Sequence, residues 1–181
     1  MTTFWITLLT TILFVGVANG QSRKKYPQTE ATIIINTTVN TAFNYIVPID
    51  LSHIFKKYKR FPAIIKTDEK ELWIKPGLTR TVYFEDGTTA KESLLTVVEG
   101  DSFSYQIVGF TSQLRFLAKK VEGSWKFTEL ENRQTKIEWT YRIIPKNFVA
   151  RFIIKSFILK DINGLLNNAL FIIKKDLENG K

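Results

Sequence analysis

The chain has 181 residues, with 26 Lys and Arg against 17 Asp and Glu for a formal charge of +9, one histidine and no cysteine. Those counts exclude a disulfide scaffold, a thiolate zinc or iron–sulfur site, a thiol nucleophile and a multi-histidine metal site within one chain. A composition that is 44% hydrophobic and 13% aromatic is enough to bury a core, and the basic balance suits nucleic acid, anionic lipid or an acidic ligand without choosing among them.

Residues 1–22 carry no charge. Within them Phe4 to Ala18 is an apolar run interrupted by Thr7, Thr10, Thr11 and Gly16, and Arg23-Lys24-Lys25 follows. A secretory signal fits the run and the small residues Ala18 and Gly20, with cleavage after Gly20 and a secreted or periplasmic product. A membrane anchor fits the uncharged length and the missing basic residue ahead of the run, and the positive cluster would then hold the remainder on the cytoplasmic side. A buried core helix is a third reading, although nothing later in the chain needs one. Residues 23–30 are polar, contain Pro27 and read as a linker, so the folded domain is expected at 31–178.

Ala31 to Asn36 is rich in β-branched residues and predicts a first strand. Val39, Phe43 and Ile46 at helical spacing predict a short helix that Pro48 ends, and Ser52 to Tyr58 predicts a second that Pro62 stops. Strands are predicted at Ile64–Ile74, Leu78–Phe84, Thr88–Val98, Phe103–Val108, Leu114–Lys120, Ser124–Leu130 and Lys136–Ile144. Asp86-Gly87 between two β-rich runs is a hairpin signal. In the last strand Ile137, Trp139, Tyr141 and Ile143 alternate with polar residues, as in an antiparallel strand with one buried face. After Pro145, the stretch Asn147 to Leu177 has no proline, and Phe148, Phe152, Leu159, Ile162, Leu166, Leu170, Ile173 and Leu177 suggest one apolar stripe. Gly164 is the expected weak point. A helix of that length is the only element able to cover one face of a curved sheet, which makes the fold class α+β.

The order of elements resembles the SRPBCC, START-like superfamily with the helix-grip fold of Bet v 1, and is most similar to its polyketide cyclase/dehydrase-like branch. The residues that carry the resemblance are Pro62-Ala63-Ile64, Trp73 with Gly77 and Arg80, the Asp86-Gly87 turn with Glu92, Phe103-Ser104-Tyr105, Gly123-Ser124-Trp125-Lys126-Phe127, and Thr135 leading into Glu138-Trp139-Thr140-Tyr141. It covers Thr32 to Leu177. It implies a curved antiparallel sheet wrapped around a long C-terminal helix, with two short helices after the first strand and a cavity for an apolar ligand. It does not imply a reaction, because the superfamily holds binders, carriers, chaperone activators and some enzymes.

Phe103, Tyr105, Trp125, Phe127, Trp139 and Tyr141, with Phe152 and Leu159 from the helix, are the candidate cavity wall; ordinary core packing fits the same pattern. A three-residue hairpin loop pairs Arg80 with Glu92, and a two-residue loop pairs Arg80 with Ser93. Arg80 either anchors a ligand carboxylate or carbonyl with Glu92 bracing it, or forms an ion pair on the outer face. If the protein is an enzyme, Glu92 is the candidate acid, and Tyr105 and Tyr141 orient a carbonyl. His53, beside Lys56, Lys57 and Lys59, reads as an exposed helix position rather than a general base. Basic residues at 56–60 and on the long helix fit a solvated face or anionic lipid headgroups better than nucleic acid. The expected function is binding, with transport or sequestration, of a hydrophobic or amphipathic molecule such as a lipid, quinone or polyketide. The alternatives are a cyclase- or dehydratase-like enzyme and a protein-interaction module. The expected partners are that small molecule and an anionic membrane surface. No cofactor, metal or nucleic acid is expected.

Overall fold

The computed structural model describes residues 26–180, so the expectations for the 1–22 segment lie outside the described residues. Seven strands form one antiparallel sheet in the order β1-β7-β6-β5-β4-β3-β2. They are β1 (Gln28–Ile35), β2 (Ile64–Thr67), β3 (Thr79–Phe84), β4 (Thr89–Val98), β5 (Ser102–Val108), β6 (Ala118–Leu130) and β7 (Gln134–Pro145). Helices α1 (Val39–Ile46) and α2 (Leu51–Ile54) follow β1, and α3 (Leu114–Leu117) precedes β6. The C-terminal helix runs as α4 (Phe148–Ile153), a π-helical turn (Ile154–Ile158) and α5 (Leu159–Glu178). This is the α+β helix-grip arrangement.

β1 begins at Gln28, inside the stretch read as linker, because pairing with β7 extends from Gln28↔Arg142 to Ile35↔Thr135. α2 is shorter than predicted. Asp50 caps it by accepting the Ser52 N–H, and Phe55 leaves the helical region at φ −96° and ψ 80°. The strand predicted at Ile64–Ile74 stops at Thr67, since the Asp68 carboxylate accepts the Thr81 N–H at 2.5 Å in place of a strand carbonyl. Leu114–Leu117 is a helical turn rather than a strand, and β6 then runs unbroken through Gly123. At that glycine the Tyr105 ring lies across the backbone: a Cβ would stand 2.0 Å from Tyr105 Cζ.

The long helix keeps its predicted extent, and Ile162, Leu166, Leu170 and Ile173 are buried on the predicted face, but its first turns do not keep that face. Ala150, Ile154, Ile158, Ile162, Leu166 and Leu170 are buried at constant four-residue spacing. An α-helix turns in about 3.6 residues, so such a stripe drifts around it. The π-helical turn winds more slowly and returns the stripe to the sheet. Phe148 and Phe152 are consequently left outside, 83% and 64% exposed. Gly164 does not break the helix; its missing side chain admits Tyr58, whose hydroxyl would lie 2.2 Å from a Cβ there.

α5 is fastened along the first strand. Asn163 Nδ2 donates to the Glu30 carbonyl at 2.8 Å and Lys174 Nζ to the Ile34 carbonyl at 2.7 Å. Beneath it, one end of the concave face is solid. Phe43 from α1 meets Phe127 edge-on at 5.3 Å, and Phe127 stacks on Trp125 at 6.5 Å.

Candidate ligand-binding site

Towards the other end the sheet and helix diverge around a cavity of about 920 Å³. Its walls come from the inward residues of β3 to β7, from Ile158, Ile162 and Leu166 of the helix, and from Ile46, Leu51, Ile54 and Phe55 around the short helices. Apolar side chains dominate, as in small-molecule sites generally. Its outer end is bounded by the loop at Arg60 to Pro62, the β3–β4 hairpin, the segment from Phe110 to Leu117, and Ile153 and Phe157. Phe116 and Phe157 there are 60% and 58% exposed.

Of the side chains expected on the wall, Arg80, Glu92, Phe103, Tyr105, Trp125, Trp139 and Tyr141 line the cavity. Three do not. Phe127 is consumed in the solid end by Phe43, Phe152 faces solvent, and half-buried Leu159 packs beside the core, one position from the lining residue Ile158. Sequence reasoning passed over Val82, Ile158, Phe61, Phe110 and the turn of α3 as wall residues. Alternation marks Val82 as inward, but no local pattern distinguishes a core residue from a wall residue.

The polar end is built across adjacent strands. β3 and β4 pair Arg80 with Glu92, the register of the three-residue loop, in which Gly87 takes φ +79°. Val82 and Ala90 share the buried face with the pair, so the ion pair lies on the concave side rather than outside. Both residues are 4% exposed. Arg80 Nε donates to Glu92 Oε2 at 2.6 Å and Nη1 donates to Glu69 Oε1 at 3.0 Å. The guanidinium carbon sits 4.1 Å from the centre of the Trp73 indole, a cation–π contact. Burial pushes the Glu92 carboxyl above its ordinary pKa, against the pull of Arg80. One guanidinium therefore serves two carboxylates, through two of its five N–H groups, and its single positive charge is already faced by two negative ones.

Tyr105 and Tyr141 stand on either side of Gly123, which pairs with both. The Tyr105 oxygen accepts the Trp139 indole N–H at 2.9 Å, leaving its own proton free to donate. Burial raises both phenols above the usual tyrosine range, with the Tyr141 ring and Glu92 adding to the effect at Tyr105 and Glu92 adding to it at Tyr141. Trp139 stacks on Trp125 at 4.0 Å and meets Phe55 edge-on at 5.6 Å, which closes the floor.

Outside the cavity, His53 has a partner that its sequence neighbourhood does not reveal. Its Nε2 lies 2.6 Å from Asp176 Oδ2, which also accepts the Tyr45 hydroxyl at 2.8 Å. Burial and that bond raise the Tyr45 pKa to about 12. The cluster joins α1, α2 and α5 and faces away from the cavity wall. The basic run at 56–60 is also largely paired: Lys57 with Glu85, and Lys59 and Arg60 with Asp161 at 2.6 and 3.1 Å. Among the described residues no group of His, Asp and Glu is placed to hold a metal ion, and no helix is long and apolar enough to cross a membrane.

No family model matches the chain, and none of the curated proteins matches it. Solved structures do. A major latex-like protein 151 from Panax ginseng superposes with a TM-score of 0.62 at 16% identity, over 84% of this chain and 97% of that one. The Aha1 dimer from Colwellia psychrerythraea gives 0.58 at 14% identity, over 86% and 98%. DynU16, a putative protein of the dynemicin biosynthetic locus, gives 0.56 at 14% identity, over 85% of this chain but 48% of that one. At such identities the likeness is one of fold: these are helix-grip structures, and so is this chain.

Proposed function

We propose that the protein binds a hydrophobic or amphipathic small molecule between sheet and helix and carries or sequesters it. The observation that supports this is the cavity itself, about 920 Å³ of mostly apolar wall with one polar end. A folded chain does not keep such a volume empty of contacts without cost, since unfilled space forfeits dispersion energy. A major latex-like protein and a protein from a biosynthetic locus share the fold, which agrees with ligand binding but names no ligand. Catalysis has less support: Glu92 is locked to Arg80 at 2.6 Å and is not a free acid. Native mass spectrometry and solvent extraction of the purified full chain test the reading. An apolar species released on denaturation, or saturable binding of N-phenyl-1-naphthylamine, is expected. Absence of both sinks it.

A membrane surface is the proposed site of loading. Phe116, Phe148, Val149, Phe152 and Phe157 are all exposed near the outer end of the cavity. The segments 112–120 and 146–160 that carry them include Arg115, Lys119, Lys146, Lys155 and Lys160 and no acidic residue. Aromatic rings among cations suit an anionic bilayer. Co-sedimentation of the full chain with phosphatidylserine vesicles should weaken in Phe148→Ser/Phe152→Ser. Unchanged binding would assign any attachment to the N-terminal segment instead.

A further inference from the structure

The charge balance at the inner end of the cavity says which kind of molecule the site takes, given that it binds a small molecule at all. Arg80 supplies one positive charge, and Glu69 and Glu92 supply two negative ones around it. Glu69 Oε2 is buried and has no hydrogen-bond partner among the described residues, so the surplus is on the acceptor side. Arg80 already gives one hydrogen bond from Nε and one from Nη1 to these carboxylates, and its face is covered by Trp73. A ligand carboxylate arriving here would be a third anion about one guanidinium, in a place where water does not screen the repulsion. A ligand hydroxyl meets complementary groups instead. Glu92 accepts its proton, and Tyr105, whose oxygen is already occupied by the Trp139 N–H, donates to its oxygen. Tyr141 offers a second phenolic donor, and burial holds both phenols in the protonated, donating form.

We propose that the cavity is selective for amphipathic molecules that enter hydroxyl-first, with the hydroxyl seated between Glu92 and the phenols of Tyr105 and Tyr141, and that it discriminates against the corresponding carboxylates. The apolar remainder of such a molecule lies along Trp139, Trp125 and Val82 towards the outer end. A ligand with an ionised acid at its leading end is disfavoured by the same two carboxylates that hold Arg80 in place.

Retinol and retinoic acid are suitable probes because they share a skeleton and differ at the head group. Binding of each to the full chain is followed by quenching of tryptophan fluorescence, at about pH 8, where a carboxyl is ionised. Retinol is expected to bind about tenfold or more tightly than retinoate. Glu92→Gln keeps the shape and removes one negative charge, and should narrow the difference. Glu69→Gln acts without lining the cavity, and is the second variant if Glu92→Gln does not fold. It should strengthen retinoate binding several-fold and leave retinol unchanged. Retinoate binding as tightly as retinol in the wild-type protein overturns the proposal, as does a preference that neither substitution alters. If N-phenyl-1-naphthylamine binds and neither retinoid does, this inference fails while the binding function stands. If the dye does not bind either, both fail.

Discussion

Replacing Arg80 with methionine removes the positive charge that pairs Glu92 in a buried site and, at its edge, Glu69. The wild-type contacts are short, 2.6 Å to Glu92 and 3.0 Å to Glu69, and Arg80 and Glu92 side chains are 3% and 5% exposed. Breaking a buried pair by removing one partner typically costs about 3–5 kcal/mol, because the remaining charge is desolvated and unpaired. For a domain of this size that is a fall in Tm of about 6–20 °C. The loss should depend on pH. In the variant the pull of Arg80 is gone, and burial, with the charge of Glu69 adding to it, raises the Glu92 carboxyl above the unfolded value. A carboxyl raised in the folded state contributes stability below its unfolded pKa and loses it as pH rises through the folded pKa. The deficit relative to wild type should therefore be larger near neutrality than in mild acid. Arg80→Met/Glu92→Leu, which removes both charges, should recover a large part of the loss, since an apolar pair can replace a buried ion pair at little cost. Urea denaturation of the three proteins at two pH values measures all of this. A single-variant loss below about 1 kcal/mol, or a double variant less stable than Arg80→Met, would refute the picture of a buried, mutually dependent pair.

Gly123→Ala sets a methyl 2.0 Å from Tyr105 Cζ; overpacking of this kind should cost about 1–3 kcal/mol and, by turning the Tyr105 ring, weaken dye binding, both read by titration. Trp139→Ala removes an indole stacked at 4.0 Å on Trp125 and should cost about 3 kcal/mol while loosening the bound dye, and unchanged affinity would remove Trp139 from the wall. Asp161→Asn unties Lys59 and Arg60 from the long helix, so amide exchange at 56–62 should quicken and the dye should dissociate faster. The hydrogen bond from Lys59 holds the Asp161 carboxyl below its ordinary pKa. The same clasp is therefore present above the unfolded value and is lost as pH falls through the lowered one, so acid should accelerate the wild-type protein towards the variant.

Alternation along Ile137, Trp139, Tyr141 and Ile143 already named the inward face of β7, and the Asp86-Gly87 signal narrowed the partner of Arg80 to Glu92 or Ser93, of which the structure takes Glu92. These features are legible because side-chain period and hairpin geometry are properties of neighbouring residues. The stripe also marked Ile162, Leu166, Leu170 and Ile173 of α5, which are buried, but the face of the first turns of the C-terminal helix was not legible. A stripe drawn through Phe148 and Phe152 assumes uniform winding, which the π-helical turn at Ile154–Ile158 interrupts. His53 finds Asp176, and Lys59 and Arg60 find Asp161, across more than a hundred residues of chain, where no local pattern connects them. Phe127 and Trp125 sit two residues apart on the same face of β6, yet one is sealed by Phe43 and the other borders the cavity. Sequence determines that both point inward; only the packing of α1 at one end of a sheet that parts from its helix at the other decides which of them meets protein and which meets space.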